Sequence, residues 1–336
     1  MDKIVTRRKG KFLFQINIYY KLKPIIPRKL QVILRRIIID LNKDKYKDIW
    51  PIYNKARRAP KGWTGWPNNK QFALVLTHDV ERRRGEERCL DLMNLEKELG
   101  FRSAYFFVPK KCKNCLPIHH ELKSNKFEVG IHGLFHDGKL FQSRNIFQKR
   151  TVRINNYISK WNVAGFRSPH MHRELNWIHD LNILYDASTF DVDPFEPQPD
   201  GVGTIFPFIV KNELSRKSYV ELPYTLPQDF TLFILMRKKN IDIWKRKLDW
   251  IAENGGMALV ITHPDYMNIE GSKSSLDEYP VGYYLDFLSY IKDRYENQYW
   301  HALPKEIAQF WAGKMKNTLD DKSRTFLNKI NKYFPG

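Results

Sequence analysis

The sequence predicts an α/β fold in which parallel strands are joined by crossover helices, as a barrel or a doubly wound sheet, in one unit of roughly 250 residues. Three observations predict it. From residue 70 onward, apolar runs of strand length alternate with segments of helical periodicity. The charged and imidazole groups that break those runs fall at strand C-terminal ends, the shared face on which such folds build their sites. And a chain of 336 residues that is 42% hydrophobic and 14% aromatic has ample material for a core.

The first element lies in the basic N-terminal part. In IIPRKLQVILRRIIIDLNK, Leu30, Ile33, Leu34, Ile37, Ile38 and Leu41 recur at helical spacing, so a helix with one apolar face is expected, with Pro27 in its first turn. Arg28, Lys29, Arg35 and Arg36 supply the polar face. Such a helix either packs its apolar face on the domain behind it or lies on an anionic membrane leaflet. APKGWTGWPNNK then reads as a linker. The expected division is a basic N-terminal extension over 1–69, the α/β unit over 70–312, and a polar, helix-prone tail over 313–336.

Within the α/β unit, QFALVLTHD is a buried strand and EERCLDLMNLEKELG a helix closed by Gly100. SAYFFVP and FEVGIH are strands, RNIFQKRTVRINNYISKW a helix, VAGFRS a strand and RELNWIHDLN a helix. ILYDAS and YVELPY are strands, IDIWKRKLDWIAENGG a helix, MALVITHPD a strand and VGYYLDFLSYIKDRY a helix.

The formal net charge is +20, and residues 1–60 carry 17 Lys and Arg against 4 Asp and Glu, an excess of 13. Charge so placed points to an anionic partner at one end of the molecule. A membrane surface touched through residues 26–43 is favoured over nucleic acid. No apolar run is long enough to span a bilayer, and no apolar segment with a cleavage site opens the chain, so a cytoplasmic protein, peripheral at the inner face of the membrane, is expected. Cys89, Cys112 and Cys115 are too few for a disulfide framework, and CKNC (112–115) is expected to be incidental to a loop.

Chemistry collects in four segments. THDVE carries Asp79 and Glu81, two apart and thus on one side of a strand end. HGLFH places His132 and His136 four apart, a spacing that lets two imidazoles bind one cation from a helical turn. Two imidazoles and one carboxylate leave a coordination position open, the composition of a catalytic zinc site. Arg167 in RSP suits a carboxylate that must stay ionised, and His263 in THPD has no packing reason to end a buried strand. Ser168 and Ser188 stand in no GxSxG setting, so a serine nucleophile is not expected.

These four motifs in this order resemble the polysaccharide deacetylases of the NodB-homology class, carbohydrate esterase family four, over roughly residues 70–312. The resemblance implies a distorted (β/α) barrel with fewer than eight strands, a divalent metal that is usually Zn2+, and hydrolysis of an N-acyl or O-acyl group on a sugar. It implies that Glu81, His132 and His136 bind the metal, that Asp79 is the general base tethered by Arg167, and that His263 is the general acid. Two departures stand out. Val80 occupies the place of the second acid of TFDDG, which passes the metal carboxylate to Glu81. His170 replaces the usual Tyr, whose backbone N–H helps hold the oxyanion; any residue but Pro keeps that donor. Asp191, Asp193 and Asp265 are the candidates to orient His263, and Trp177, Phe190, Phe195 and Tyr224 to form an aromatic sugar platform.

The expected activity is removal of an N-acetyl group from an amino sugar of a surface polysaccharide or a lipid-linked glycan intermediate. Two alternatives stand beside it: a non-sugar amidase or cyclic-imide hydrolase on the same fold, and a non-catalytic barrel that binds a membrane or nucleic acid.

Overall fold

The structure, a computed structural model, describes residues 26–314 other than 114, 213–216 and 272–274. Residues 1–25 and nearly all of the expected tail at 313–336 lie outside the described residues. In chain order the elements are α1 (Arg28–Asn42), β1 (Phe72–Val80), α2 (Arg83–Glu98), β2 (Ala104–Phe107), α3 (Cys115–Ser124), β3 (Glu128–His132), α4 (Arg144–Trp161), β4 (Gly165–Arg167) and the single turn α5 (Leu175–Ile178). There follow β5 (Tyr185–Asp186), β6 (Phe208–Lys211), β7 (Ser218–Glu221), a π-helix (Phe230–Leu235), α6 (Asp242–Glu253) and β8 (Met257–Thr262). The last are β9 (Met267–Asn268), β10 (Tyr279–Pro280), α7 (Gly282–Tyr295), β11 (Tyr299–His301) and α8 (Pro304–Lys314).

Every residue of β1 is buried, as a strand covered on both faces requires, which is why FALVLTHDV is nearly continuous in apolar residues. One edge of β1 pairs with β8, from Ala73↔Met257 to His78↔Thr262. The other edge is shared: β11 takes Phe72–Leu74 and β2 takes Thr77–Val80. From β2 the parallel ladder continues through β3, β4, β5 and β7, with β6 antiparallel at the end. The curl closes where the amides of Thr225 and Leu226 donate to the Leu259 carbonyl of β8 at 3.0 and 3.1 Å. A distorted (β/α) barrel results, in the order β8-β1-β2-β3-β4-β5-β7.

Local chemistry explains where the helices run. α4 covers its predicted span residue for residue: the Ser143 side chain accepts from Ile146 N, and Asn162 ends the helix at φ 48°. RELNWIHDLN yields only α5, because the Asn155 amide donates to Asp180 O and accepts from Asn182 N, capturing backbone groups that a longer helix would need. The expected linker is a packed segment: Trp63 and Trp66 meet at 4.7 Å, and Trp66 Nε1 donates to Gly255 O. Cys112 and Cys115 are disulfide-bonded, contrary to the incidental role expected of CKNC; two intervening residues leave their Cα atoms 5.6 Å apart, within bonding reach.

α1 forms where predicted but presents the opposite face. Val32 and Ile39 are buried, whereas Leu30, Ile33, Leu34, Ile37 and Leu41 are 40–73% exposed. Val32 and Ile39 join the core, and two arginines add to the hold: Arg36 Nε donates to Ile234 O at 2.8 Å, and the Arg35 guanidinium lies 5.2 Å from the centre of the Phe230 ring. No helix among the described residues is long and apolar enough to cross a membrane.

Candidate active site

Strand ends bring the predicted groups together. Asp79 is in β1 and Glu81 directly follows the strand; His132 ends β3, Arg167 ends β4 and His263 follows β8. All but Arg167 line one cavity of about 1190 Å³, and Arg167 lies directly behind Asp79.

Arg167 is fully buried and donates three ways: Nη1 to Asp79 Oδ1 at 2.8 Å, Nη2 to Thr77 Oγ1 at 3.0 Å and Nε to Ala187 O at 3.0 Å. Its guanidinium stacks 4.3 Å from the Phe106 ring. Burial works to raise the Asp79 carboxyl, but Arg167, His132 and His263 outweigh it and hold the group below its usual value. Asp79 is thus an ionised carboxylate fixed in direction.

His132 and His136 converge by a route unlike the expected helical turn. His132 closes the strand, Gly133 turns the chain at φ 63°, and His136 sits at φ 55°, with the two rings 5.1 Å apart. A Cβ on Gly133 would fall 2.4 Å from the Pro169 ring, so this turn requires glycine twice over. His136, His170 and Met171 all hold positive φ at the cavity wall, where backbone strain is concentrated.

Glu81, His132 and His136 offer ligand atoms within 4.8 Å of one another, a grouping that could hold a metal ion. Glu81 Oε1 lies 2.8 Å from His136 Nε2 and 4.0 Å from His132 Nε2. His136 Nε2 is buried against Glu81 Oε1, so the two atoms face one place, where a cation fits. The other ring nitrogen of His132, Nδ1, faces Arg167 O at 3.2 Å, which turns Nε2 toward Glu81 and the cavity. Burial is the main cause that brings His132 down to about 4, so it is neutral, the form that binds metals. Glu81 is fastened behind: Tyr266 Oη donates to Oε2 at 3.2 Å, and its own N–H donates to Asp265 Oδ2 at 2.8 Å. Asp265 also takes the Gly85 N–H, and a Cβ on Gly85 would collide with that carboxylate at 2.3 Å.

Across the cavity, His263 Nε2 lies 3.9 Å from Glu81 Oε1. Its orienting group is Asp229, which none of the three expected aspartates turns out to be. One Asp229 oxygen accepts from His263 Nδ1 at 2.7 Å and the other from the His263 N–H at 2.7 Å, and Tyr279 Oη donates to it at 3.0 Å. Burial works to lower His263, but Asp229, with Glu81 and Asp79, raises it to about 10. Asp191 is paired instead with the buried Lys247, Asp193 accepts from Tyr224 Oη, and Asp265 serves Glu81. Asp229 stands in LPQDFTLF, where an acid inside an otherwise apolar run was the available signal.

Of the expected aromatic platform only Trp177 reaches the cavity, beside Phe141 at 6.2 Å; Phe190, Phe195 and Tyr224 are buried in the core. Phe230 and Tyr266 line the wall in their place. Ser188 Oγ donates to Asp186 and accepts from Ser168 N, so both serines brace the loop after Arg167.

No protein-family model matches the chain, and no curated protein matches it. Solved structures do. A Pseudomonas aeruginosa PAO1 protein assigned to the polysaccharide deacetylases aligns with a TM-score of 0.61 at 14% identity, over 80% of this chain and 97% of that one. A Mycobacterium smegmatis protein with the same assignment gives 0.58 at 15% identity, over 75% and 94%. The Puue allantoinase gives 0.59 at 14% identity, over 76% and 94%. The chain has the NodB-homology fold of the polysaccharide deacetylases.

Proposed function

We propose that this chain is a metal-dependent deacetylase that removes an N-acetyl group from an amino sugar. The observation that carries the reading is that Asp79, tethered by Arg167, and His263, held by Asp229, both adjoin the Glu81, His132, His136 set: Asp79 Oδ2 lies 3.8 Å from His132 Nε2, and His263 Nε2 lies 3.9 Å from Glu81 Oε1. A base and an acid stand beside one place where a cation fits.

Zn2+ is the ion we assign, because two imidazoles and one carboxylate suit it and leave a position open. Bound there, a divalent ion supplies Lewis acidity toward an acyl carbonyl and acidifies water. The chain's own residues do the rest. Asp79 takes a proton from the attacking water, Arg167 keeping it ionised and in line. His263 Nε2 gives a proton to the departing amine; Asp229 keeps the ring protonated and fixed in direction through Nδ1, so that Nε2 has a proton to give. The backbone N–H of His170, the counterpart of the usual tyrosine, is the proposed donor to the oxyanion. Acetate and a free amino sugar leave.

For the substrate we propose a surface polysaccharide or a lipid-linked glycan intermediate. The cavity exceeds the ~300–1000 Å³ of small-molecule pockets, and Trp177 with Phe141 offers a wall for a sugar ring. The basic N-terminal sixty residues favour the cytoplasmic face of a membrane, whose leaflet is anionic. A second reading, hydrolysis of a non-sugar amide or cyclic imide, has the likeness to an allantoinase behind it.

The test is acetate release from N-acetylated amino-sugar oligomers by the Zn2+-loaded protein, against the Asp79→Asn variant. Release by the wild type alone is expected. Turnover of cyclic imides without any acetate release would select the second reading.

A further inference from the structure

The apolar stripe of α1 faces away from the barrel. Leu30, Ile33, Leu34, Ile37 and Leu41 follow one another at helical spacing over roughly 16 Å of axis, and each is at least 40% exposed. They are five of the eight large hydrophobic side chains exposed among the described residues. A sixth, Leu276, belongs to a loop tied to this helix, where its carbonyl accepts from Arg36 Nη2 at 3.1 Å. A contiguous apolar surface on a charged protein marks a contact with something apolar.

Two further observations identify the occupant. The 25 residues that lead into α1 carry seven Lys and Arg against one Asp. Basic chain joined to an amphipathic helix is the pattern that seats a protein in an anionic leaflet, charge attracting the headgroups and aliphatic side chains entering the acyl boundary. The helix also stands at the mouth of the catalytic cavity: Gln31 and Arg35, on its other side, form part of the cavity wall.

We propose that α1 is a membrane-docking edge whose outward stripe inserts into an anionic leaflet, so that the cavity beside it receives an acylated sugar still attached to its lipid. This rests on the deacetylase reading for the identity of the headgroup; the docking itself does not. Arg35 and Arg36 hold the helix to the barrel and are not the lipid contacts; electrostatic attraction falls to the exposed Lys29 and to the basic residues that precede the helix in the sequence.

The full chain is floated with vesicles of phosphatidylglycerol and phosphatidylcholine, and with vesicles of phosphatidylcholine alone. Flotation with the anionic vesicles is expected, together with a loss of about tenfold or more in Leu34→Glu/Ile37→Glu. The control Val152→Glu, on the exposed face of α4, should float like the wild type, and all three should deacetylate a soluble substrate alike. Absence of flotation by the wild type overturns the proposal, as does undiminished flotation by the double variant. So does a stable dimer that the double variant dissociates, which would make a second copy the occupant. Flotation is read without catalysis: a chain that floats but releases no acetate supports docking and sinks the deacetylase reading, and one that deacetylates but does not float does the reverse.

Discussion

A guanidinium with no exposure to solvent survives in a barrel only because each of its nitrogens meets an acceptor. Arg167 has Asp79, Thr77 and Ala187 as acceptors, so Arg167→Gln strands a buried carboxylate. We expect a loss of about 3–5 kcal/mol in urea unfolding as well as loss of activity. Asp79→Asn should lower kcat by about 10²- to 10⁴-fold. His263 titrates in the other direction. Its folded value of about 10 stands above the ordinary 6.5, so its imidazolium contributes stability that is fully present below 6.5 and lost as pH rises toward 10. The stability gap between wild type and His263→Asn should therefore narrow over that window in unfolding titrations. Asp229→Asn removes the main support of the charge, so the alkaline limb of the kcat/KM profile should move to lower pH; an unmoved limb would contradict the role of Asp229. Asp79, Glu81, His132, Arg167 and His263 were legible because each closes or follows an apolar run. Asp229 was not, since it and His263 stand 34 residues apart and only the closed barrel joins them.

The π-helix Phe230–Leu235 links the N-terminal helix to the chemistry. It begins directly after Asp229, contributes Phe230 and Thr231 to the cavity, and accepts the Arg36 side chain at Ile234 O. A π-turn in such a place is a feature of functional sites. Arg36→Met should lower kcat/KM several-fold on a soluble substrate while leaving metal content unchanged. In α4, Ser143→Ala should cost about 1 kcal/mol and lower Tm by about 2–4 °C, by loss of the cap alone. The two helices show where pattern reading works. α4 carries its cap and its left-handed stop in its own sequence. In α1 the six aliphatic positions predicted the helix, but not which face would pack, because the anchors are Val32, Ile39 and two arginines whose partners lie some 200 residues away.

At the scale of the molecule, the parallel ladder sets the C-terminal ends of β1, β3, β4 and β8 around one opening, and that convergence was predictable from strand ends that carry acids, imidazoles and a guanidinium. The closure at Thr225 and Leu259 and the packing of the segment around Trp66 were not, since each depends on contacts between distant segments, Trp66 with Gly255 in the second case. The proposed function stands on a cation grip by Glu81, His132 and His136, whose ligand atoms the barrel brings within 4.8 Å of one another. The direct test is Zn2+ content by elemental analysis after loading and exhaustive dialysis. About one ion per chain is expected in the wild type and in Asp79→Asn, and near none in His132→Ala and His136→Ala. Equal zinc in the wild type and both histidine variants would contradict the account.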